Sequence, residues 1–207
     1  MEKIIIINGS PRAPHSNSRQ YAAIFQQAMG ENFPVYDAIT KKPEEAFQAV
    51  KQASDLLLVF PLYADGVPAV LLRFLKELEN HAETPRVLRV HVLVNCGFLE
   101  PEQNTAALEI IRLFCKKNGF TVGATLQIGS GEAILTTPFA FLAKRKVRQF
   151  AAAVRAGRHK ALKTTMPLSK QSFIKASTKF WLSRGAQNGV SKEQMETMEI
   201  ESSEKFK

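Results

Sequence analysis

The chain has 207 residues, of which 45% are hydrophobic and 23% charged, a balance typical of a folded domain with a sizeable core. The net charge of +9 is unevenly distributed: residues 144–207 carry 15 Lys and Arg against 5 Asp and Glu, whereas residues 1–143 carry 13 against 14. A neutral body without an aromatic-interleaved basic face argues against nucleic-acid binding. The apolar run 56–75 contains Pro, Asp and Arg residues, which exclude a transmembrane helix there.

The start of the chain and its cysteines indicate a compartment. No cleavage pattern follows the first residues, which lead directly into an apolar run. Cys96 and Cys115 have the spacing of neither a disulfide framework nor a metal site. We therefore expect a cytoplasmic protein without a bound metal.

The first apolar run and the loop after it predict an anion site. The four β-branched residues Ile4–Ile7 are typical of a central parallel strand that is buried on both faces. Gly9 and Pro11 end this strand, and the Ser-Asn-Ser run at 16–18 caps a helix that extends to residue 28. Unpaired N–H groups, the helix dipole and the serine hydroxyls favour a phosphate, although a capped helix without a ligand stays the alternative.

The rest of the chain alternates predicted strands and helices. The strands are expected at 32–38, 55–60, 87–94 and 120–128, and the helices at 43–53, 68–79, 102–118 and 137–156. The helix at 102–118 is expected to turn Ala106, Ile110, Leu113 and Phe114 inward. Five strands with helical crossovers predict a doubly wound parallel α/β sheet in the order 2-1-3-4-5.

In such a sheet, ligands bind at the carboxyl ends of the strands. Three further loops follow strands at that edge: Pro61–Pro68, Asn95–Glu100 and Gly129–Ala133. The glycines of the last loop indicate a turn that leaves room for a ligand or for the next helix. Among the four histidines, His15 alone lies near the predicted site.

Two of these loops carry a resemblance to a known family. Asn8-Gly9-Ser10-Pro11-Arg12 followed by Ser16-Asn17-Ser18 resembles the FMN-phosphate loop of the flavodoxin-like NAD(P)H-dependent FMN reductases and quinone reductases, and Pro61–Pro68 resembles their isoalloxazine loop. Neither the P-loop nor the Gly-x-Gly-x-x-Gly pattern is present. The resemblance covers about the first 150 residues. It implies a flavodoxin-like three-layer sandwich, FMN as cofactor, NADH or NADPH as co-substrate, and a homodimer.

The resemblance also implies the site residues. Those that hold the phosphate are Ser10, Arg12, Ser16, Asn17 and Ser18; those that frame the ring are Pro61, Leu62, Tyr63, Ala64, Asp65, Gly66, Asn95, Cys96, Gly97 and Phe98. Tyr63 offers a flat ring for stacking, and the turn around Asp65 and Gly66 exposes N–H groups to the flavin edge. Asn95 or the N–H groups of its loop are expected to bond the ring carbonyls, and Cys96 to fill space beside the ring.

The implied activity needs no catalytic side chain, because the flavin carries the chemistry. It is an FMN-dependent NAD(P)H oxidoreductase that passes hydride from a nicotinamide to the flavin and then two electrons to a quinone, flavin, azo or nitro compound. Two alternatives stay open. One is a flavodoxin-type electron carrier for protein partners, and the other is a non-enzymatic interaction module with a basic tail.

We divide the chain into an FMN-binding domain at 1–160 and a basic, partly helical extension at 161–207. In the extension, residues 168–184 predict a helix with one aromatic stripe and one basic face. The stripe has three possible uses: packing against its own domain or a second subunit, covering the flavin pocket, or contacting an anionic membrane surface. Residues 191–207 are expected to fray.

Overall fold

The computed structural model describes residues 4–40, 42–80 and 88–197. These ranges contain six β-strands: β1 (Ile4–Asn8), β2 (Val35–Asp37), β3 (Asp55–Pro61), β4 (Arg89–Asn95), β5 (Thr121–Ile128) and β6 (Ala161–Thr164). They also contain seven α-helices: α1 (Asn17–Met29), α2 (Glu44–Lys51), α3 (Ala69–Asn80), α4 (Thr105–Asn118), α5 (Ala140–Arg155), α6 (Lys170–Gln187) and α7 (Lys192–Met195). Two short 3₁₀ helices lie at Pro101–Asn104 and Ile134–Thr136.

The strands form one parallel sheet in the order β2-β1-β3-β4-β5-β6. This confirms the predicted doubly wound α/β fold and the order of the first five strands. β1 lies inside the sheet, where Ile6 pairs with Val35 of β2 and with Leu57 of β3. All four isoleucines of β1 are buried, and each such side chain contributes roughly 1.5–3 kcal/mol when it leaves water.

Helices cover both faces of the sheet. On one face, α2, α3 and α4 contribute Phe47, Leu71 and Ile111 to a continuous apolar core. On the other face, α1 packs against α5, and the ring centroids of Phe25 and Phe150 lie 5.7 Å apart. The sheet and its two helical layers make the expected three-layer sandwich.

The sixth strand was not predicted. Residues 161–164, which the sequence analysis assigned to the extension, pair with β5, and Ala161 lies opposite Thr125. The strand is short and lies at the sheet edge, and Leu162 is its one buried residue, so it presents no apolar run. The sheet domain therefore continues to residue 166, and the described residues after it, 167–197, belong to a second compact unit.

The prediction for the inward face of α4 was wrong for Ala106, Ile110 and Leu113, whereas Phe114 is half-buried and packs against the core as expected. The structure buries Ala107, Leu108, Ile111 and Cys115, whereas Leu113 is 65% exposed and Ile110 is 36% exposed. The helix carries two apolar stripes one residue out of step, and helical periodicity alone cannot decide which stripe faces the sheet. Val87, predicted as the first residue of the fourth strand, lies outside the described residues.

The second unit contains α6 and α7. Ser169 caps α6 by accepting the N–H of Ser172, and Ser191 forms a capping box with Gln194 at α7. No side chain of either helix is buried. Residues 198–207, the end of the segment predicted to fray, lie outside the described residues.

The amino ends of β3 and β4 hold a buried polar cluster. Asp55 Oδ1 lies 2.9 Å from His91 Nε2 and 3.2 Å from Arg89 Nη1. His91 Nδ1 accepts the N–H of Ala124 at 2.9 Å, which assigns the imidazole proton to Nε2, facing Asp55. The β4–β5 register shifts by one residue here. A Cβ at Gly123 would lie 2.4 Å from the His91 ring, so the bulge needs glycine at that position.

Candidate functional site

An open cleft of about 490 Å³ lies at the carboxyl end of the sheet. Its walls come from the loop after β1 with the first turn of α1, from the end of β3 and the turn after it, from Asn95 at the end of β4, and from Glu132 after β5. This is the edge at which doubly wound sheets bind ligands. The cleft therefore lies where the sequence predicts a ligand site.

The first turn of α1 forms one wall of the cleft and suits an anion. Ser16 is the N-cap, and its Oγ accepts the N–H of Arg19 at 3.2 Å. The N–H groups of Asn17 and Ser18 have no acceptor within the helix, because these are its first two residues. Arg12 and Arg19 line the same wall and add positive charge to the helix dipole, although part of the Arg19 charge is offset by Asp37, whose Oδ1 lies 3.7 Å from Arg19 Nη1.

Two serine hydroxyls are oriented by the protein. Ser10 Oγ accepts the N–H of Arg12 at 3.2 Å, and Ser18 Oγ accepts the side-chain amide of Asn95 at 3.3 Å. Both serines are buried and both line the cleft. Since each hydroxyl acts as an acceptor in these bonds, its own hydrogen stays available for a ligand.

The loop after β3 forms a tight turn from Tyr63 to Gly66. The N–H of each of these two residues donates to the carbonyl oxygen of the other at 3.0 Å. Ala64 and Asp65 have φ values of 45° and 57°, in the left-handed region that side chains with a Cβ rarely occupy. The expectation that Gly66 exposes its N–H was wrong, because the turn uses that donor. Within the described residues, the N–H groups of Ala64 and Asp65 have no partner.

The loop after β4 is more buried than the sequence analysis expected. The Nδ2 of Asn95 donates to Phe60 O at 3.1 Å as well as to Ser18, so this nitrogen supports the loops rather than a ring carbonyl. Cys96 is buried, and the side-chain amide of Asn104 lies 3.3 Å from its sulfur. Burial raises the pKa of the Cys96 thiol, which therefore stays protonated at neutral pH.

The loop after β5 is fastened to the other loops. A Cβ at Gly131 would lie 2.7 Å from Asn95 Cβ, so glycine here makes room for the neighbouring loop and not for a ligand. The phenol of Tyr21 donates to Gly131 O at 2.9 Å, and burial raises the pKa of that phenol. The side-chain amide of Asn17 donates to Glu132 O at 3.3 Å. These bonds join the first two turns of α1 to the loop after β5.

The structure brings most of the predicted site residues together. Nine line the cleft: Ser10, Arg12, Ser16, Asn17, Ser18, Pro61, Leu62, Tyr63 and Asn95. Six do not: Ala64, Asp65 and Gly66 lie beyond Tyr63 in its turn, Cys96 is buried behind Asn95, and Gly97 and Phe98 are exposed on the β4 loop.

Other residues line the cleft without having been predicted. They are Pro11, Pro14, Arg19, Gln20 and Glu132, together with His15, which the sequence analysis noted only for its position. Arg19 lies one helical turn after the cap, and that spacing is the signal that was overlooked. Glu132 had no comparable signal, since its position depends on contacts between distant loops.

Comparisons with solved structures find similar architectures at low sequence identity. No family model and no curated protein matches the chain. Among solved structures, the Trp repressor binding protein from Bacillus subtilis has 16% identity and a TM-score of 0.59, over 72% of this chain and 97% of that chain. An FMN-dependent NADH-azoreductase from Bacillus anthracis, solved in complex with FMN, has 15% identity and a TM-score of 0.54, over 76% and 100% of the two chains.

A third solved structure, the apo form of an NADH:FMN oxidoreductase, has 17% identity and a TM-score of 0.55, over 77% of this chain and 95% of that chain. At these identities the similarity establishes a shared architecture: the chain has the flavodoxin-like fold.

In the described part of the chain, no helix has the length and apolar character to cross a membrane.

Proposed function

We propose that this chain is an FMN-dependent NAD(P)H oxidoreductase. The observation that carries the proposal is the meeting of two features at one cleft. One is an electropositive helix N-terminus with Arg12 and Arg19, and the other is a left-handed turn whose first residue, Tyr63, lines the same cleft. The first suits a phosphate monoester, and the second suits the face and edge of a flat heterocycle. FMN contains both chemical groups.

The dimensions and donors of the cleft fit this cofactor. The volume of about 490 Å³ lies within the range of roughly 300–1,000 Å³ that is usual for small-molecule sites. Four donors are free at the phosphate end. They are the hydroxyls of Ser10 and Ser18 and the N–H groups of Asn17 and Ser18, none of which donates a hydrogen bond to another described residue. The similarity of fold to an FMN complex and to an NADH:FMN oxidoreductase supports the same assignment.

When bound, FMN supplies two-electron redox chemistry between a reduced nicotinamide and an acceptor. The protein binds and orients it. Arg12 and the first turn of α1, with Arg19 beside them, would hold the phosphate, and Tyr63 would offer its ring, which is 59% exposed, for stacking. We infer that the ring extends past Tyr63 to the turn, where the N–H groups of Ala64 and Asp65, which lie just outside the cleft lining, would stabilise negative charge developing at the ring edge on reduction. No side chain is needed as an acid or base, in keeping with the high pKa of Cys96.

The co-substrate is NADH or NADPH, and the acceptor is a small molecule of the quinone, flavin, azo or nitro class. Both must approach the face of the ring that the protein leaves open. The cleft is open to solvent beside Tyr63, so the two substrates use the same space in turn. We therefore expect ping-pong kinetics.

Titration of the purified apoprotein with FMN and with riboflavin tests the proposal. We expect FMN to bind more tightly than riboflavin, because the phosphate contributes charge-assisted hydrogen bonds. Anaerobic addition of NADH or NADPH should then bleach the visible flavin absorbance, and a quinone or azo dye should restore it.

Two results would contradict the proposal in different ways. Bound FMN that no reduced nicotinamide bleaches indicates a flavodoxin-type carrier. Failure to bind FMN at all indicates a fold used as an interaction module. The relative initial rates with NADH and NADPH identify the preferred co-substrate.

We also propose that the protein is a homodimer that associates through the outer stripe of α4. Leu113 and Ile110 are exposed there, Leu72 of α3 is 42% exposed, and Ile110 lies close to Gly66 of the turn after β3. A partner on this surface would border the cleft. Leu113→Lys should convert the dimer to a monomer in size-exclusion chromatography with light scattering, whereas the exposed Gln27→Lys on α1 should leave the dimer intact.

The compartment is proposed from the cysteines. Cys96 and Cys115 are both buried free thiols, and burial raises the pKa of Cys115 to about 12. Unpaired thiols of this kind are typical of the reducing cytoplasm. Fractionation of cells that express the full chain tests this assignment.

A further inference from the structure

Charge is segregated along this chain over a long stretch. Residues 133–192 contain 13 Lys and Arg and not a single Asp or Glu. The stretch covers α5, β6 and α6, so it belongs to both compact units. Sixty residues without a carboxylate cannot neutralise their own charge, which favours an anionic partner.

Helix α6 combines this charge with exposed apolar side chains. Ile174 is 53% exposed, Phe180 57% and Trp181 48%. Phe173 and Phe180 are seven residues apart, as are Ile174 and Trp181, so the four side chains share one face of the helix, which we call the α6 stripe. Its rings form a T-shaped pair at Phe180 and Trp181, with centroids 5.3 Å apart.

The basic residues of α6 surround the stripe. Lys170 and Arg184 lie three residues outside its two ends on the same face, and Lys175 and Lys179 lie on the opposite face. Lys170 and Arg184 therefore meet any surface that the stripe contacts, whereas Lys175 and Lys179 lie across a helix about 10–12 Å in diameter, beyond the Debye length of about 8 Å, and contribute less.

The helix lacks the packing that normally stabilises helices. None of its side chains is buried, and it contains Ser, Thr and Gly at several positions. A helix of this length and composition is marginal in water, because most helical stability in proteins comes from packing an apolar face. The stripe therefore needs a surface that covers it.

We propose that α6 binds the surface of a membrane containing anionic lipids, with the α6 stripe inserted at the level of the headgroups. Helices that carry Trp, Phe and aliphatic residues beside Lys and Arg bind such interfaces, because the long basic side chains reach the headgroups while the apolar groups enter the acyl boundary. A second copy of α6 is disfavoured as the occupant because its charges repel, there being four basic and no acidic residues in each helix. An aliphatic residue such as Ile174 has no stacking role on nucleic acid, whereas it gains from burial among acyl chains.

Vesicle binding by the full-length protein tests this proposal. The probes are vesicles of phosphatidylcholine alone and of phosphatidylcholine mixed with phosphatidylglycerol. We expect co-sedimentation with the anionic vesicles only, weakened by added salt. Trp181 is the single tryptophan of the chain, so its emission should shift to shorter wavelength on binding, as the ring leaves water.

A matched pair of variants locates the contact. The double variant Ile174→Ser/Phe180→Ser keeps Trp181 as the probe and should reduce the vesicle partition coefficient about tenfold or more, because two apolar anchors are lost. Phe141→Ser on α5, which removes a ring that is 60% exposed within the same carboxylate-free stretch, should leave binding unchanged. Circular dichroism of the free proteins checks that all variants fold alike.

Three outcomes overturn the proposal. The first is the absence of sedimentation with anionic vesicles. The second is binding without a Trp181 shift or without loss in the double variant, which indicates charge attraction alone. The third is tighter binding to polyuridylate RNA than to the vesicles. Because none of these measurements requires bound flavin, they are independent of the proposed reductase activity.

Discussion

The two ends of the parallel sheet differ in whether their polar groups have hydrogen-bond partners. At the amino end, the carboxylate of Asp55 is bonded to His91, Arg89 and Ser54, and both ring nitrogens of His91 are used. At the carboxyl end, the N–H groups of Ala64 and Asp65 have no partner in the described chain. Buried polar groups with complete hydrogen bonding stabilise a fold, whereas exposed donors held without partners are suited to a ligand.

The comparison extends to backbone geometry. The amino end accommodates His91 by a β-bulge at Gly123, a residue without a Cβ to collide with the ring. The carboxyl end instead holds Ala64 and Asp65 in the left-handed region, where a Cβ is unfavourable. The amino end thus avoids a steric clash, whereas the carboxyl end retains backbone strain at Ala64 and Asp65, and retained strain of this kind is common at binding sites.

Removal of Asp55 should have the largest effect. Asp55→Ala leaves the Nε2–H of His91 buried without an acceptor and removes the carboxylate partner of Arg89, which is partly exposed, so we expect a loss of about 2–3 kcal/mol in the free energy of unfolding. Urea denaturation measures this loss. Asp55→Asn keeps an acceptor for His91 and should cost less. If the folded Asp55→Ala protein also bound FMN much more weakly than the wild type, the amino and carboxyl ends of the sheet would not be independent.

The same carboxylate makes stability depend on pH. Burial tends to raise the pKa of Asp55, but hydrogen bonds from His91 and Ser54 and the charge of Arg89 outweigh it, so the pKa is lowered in the folded state. A lowered pKa stabilises the fold above the unfolded value of about 3.9, and that contribution is lost as pH falls through the folded value.

Unfolding of the wild type and of Asp55→Asn over a pH series measures this contribution. The difference in their free energies of unfolding should be constant near neutral pH and should shrink in acid. A difference that grows on acidification would contradict the assignment of the lowered pKa to Asp55.

Local patterns predicted the carboxyl end better than the amino end. The four isoleucines of β1 and the capped helix after them lie within 30 residues of each other, so one stretch of sequence indicates both the strand and the helix N-terminus that lines the cleft. His91 and Asp55 are 36 residues apart, and their contact depends on the register of β3 with β4, which no local pattern determines. The bond from Asn17 to Glu132 spans 115 residues and was missed for the same reason.

Arg12→Ala tests the carboxyl end directly. Loss of this cation from the cleft wall beside the first turn of α1 should weaken FMN binding about tenfold and leave riboflavin binding unchanged, since riboflavin lacks the phosphate. Arg112→Ala on α4, whose guanidinium pairs with Glu109, is the control and should affect neither ligand. Equal losses for FMN and riboflavin would remove Arg12 from the phosphate site, and the contrast between the two ends would then depend on the turn after β3 alone.

Ala64→Gly should have the smallest effect and an unusual sign. Glycine adopts a φ of 45° without the steric cost that the alanine Cβ has there. This relief in the folded state exceeds the entropy that glycine adds to the unfolded chain, so we expect the free energy of unfolding to rise by about 0.5–1 kcal/mol. Ala23→Gly, at an exposed position inside α1, should instead lower stability by about 1 kcal/mol. Urea denaturation of both variants measures the two signs.

FMN titration of Ala64→Gly completes the test. If the left-handed turn holds its N–H groups in place for the ligand, the more flexible glycine should weaken FMN binding by a few fold even as the protein becomes more stable. Stability and affinity would then change in opposite directions at one residue, which the fully bonded Asp55 cluster cannot show. Unchanged affinity would mean that the strain at Ala64 has no part in binding the ring.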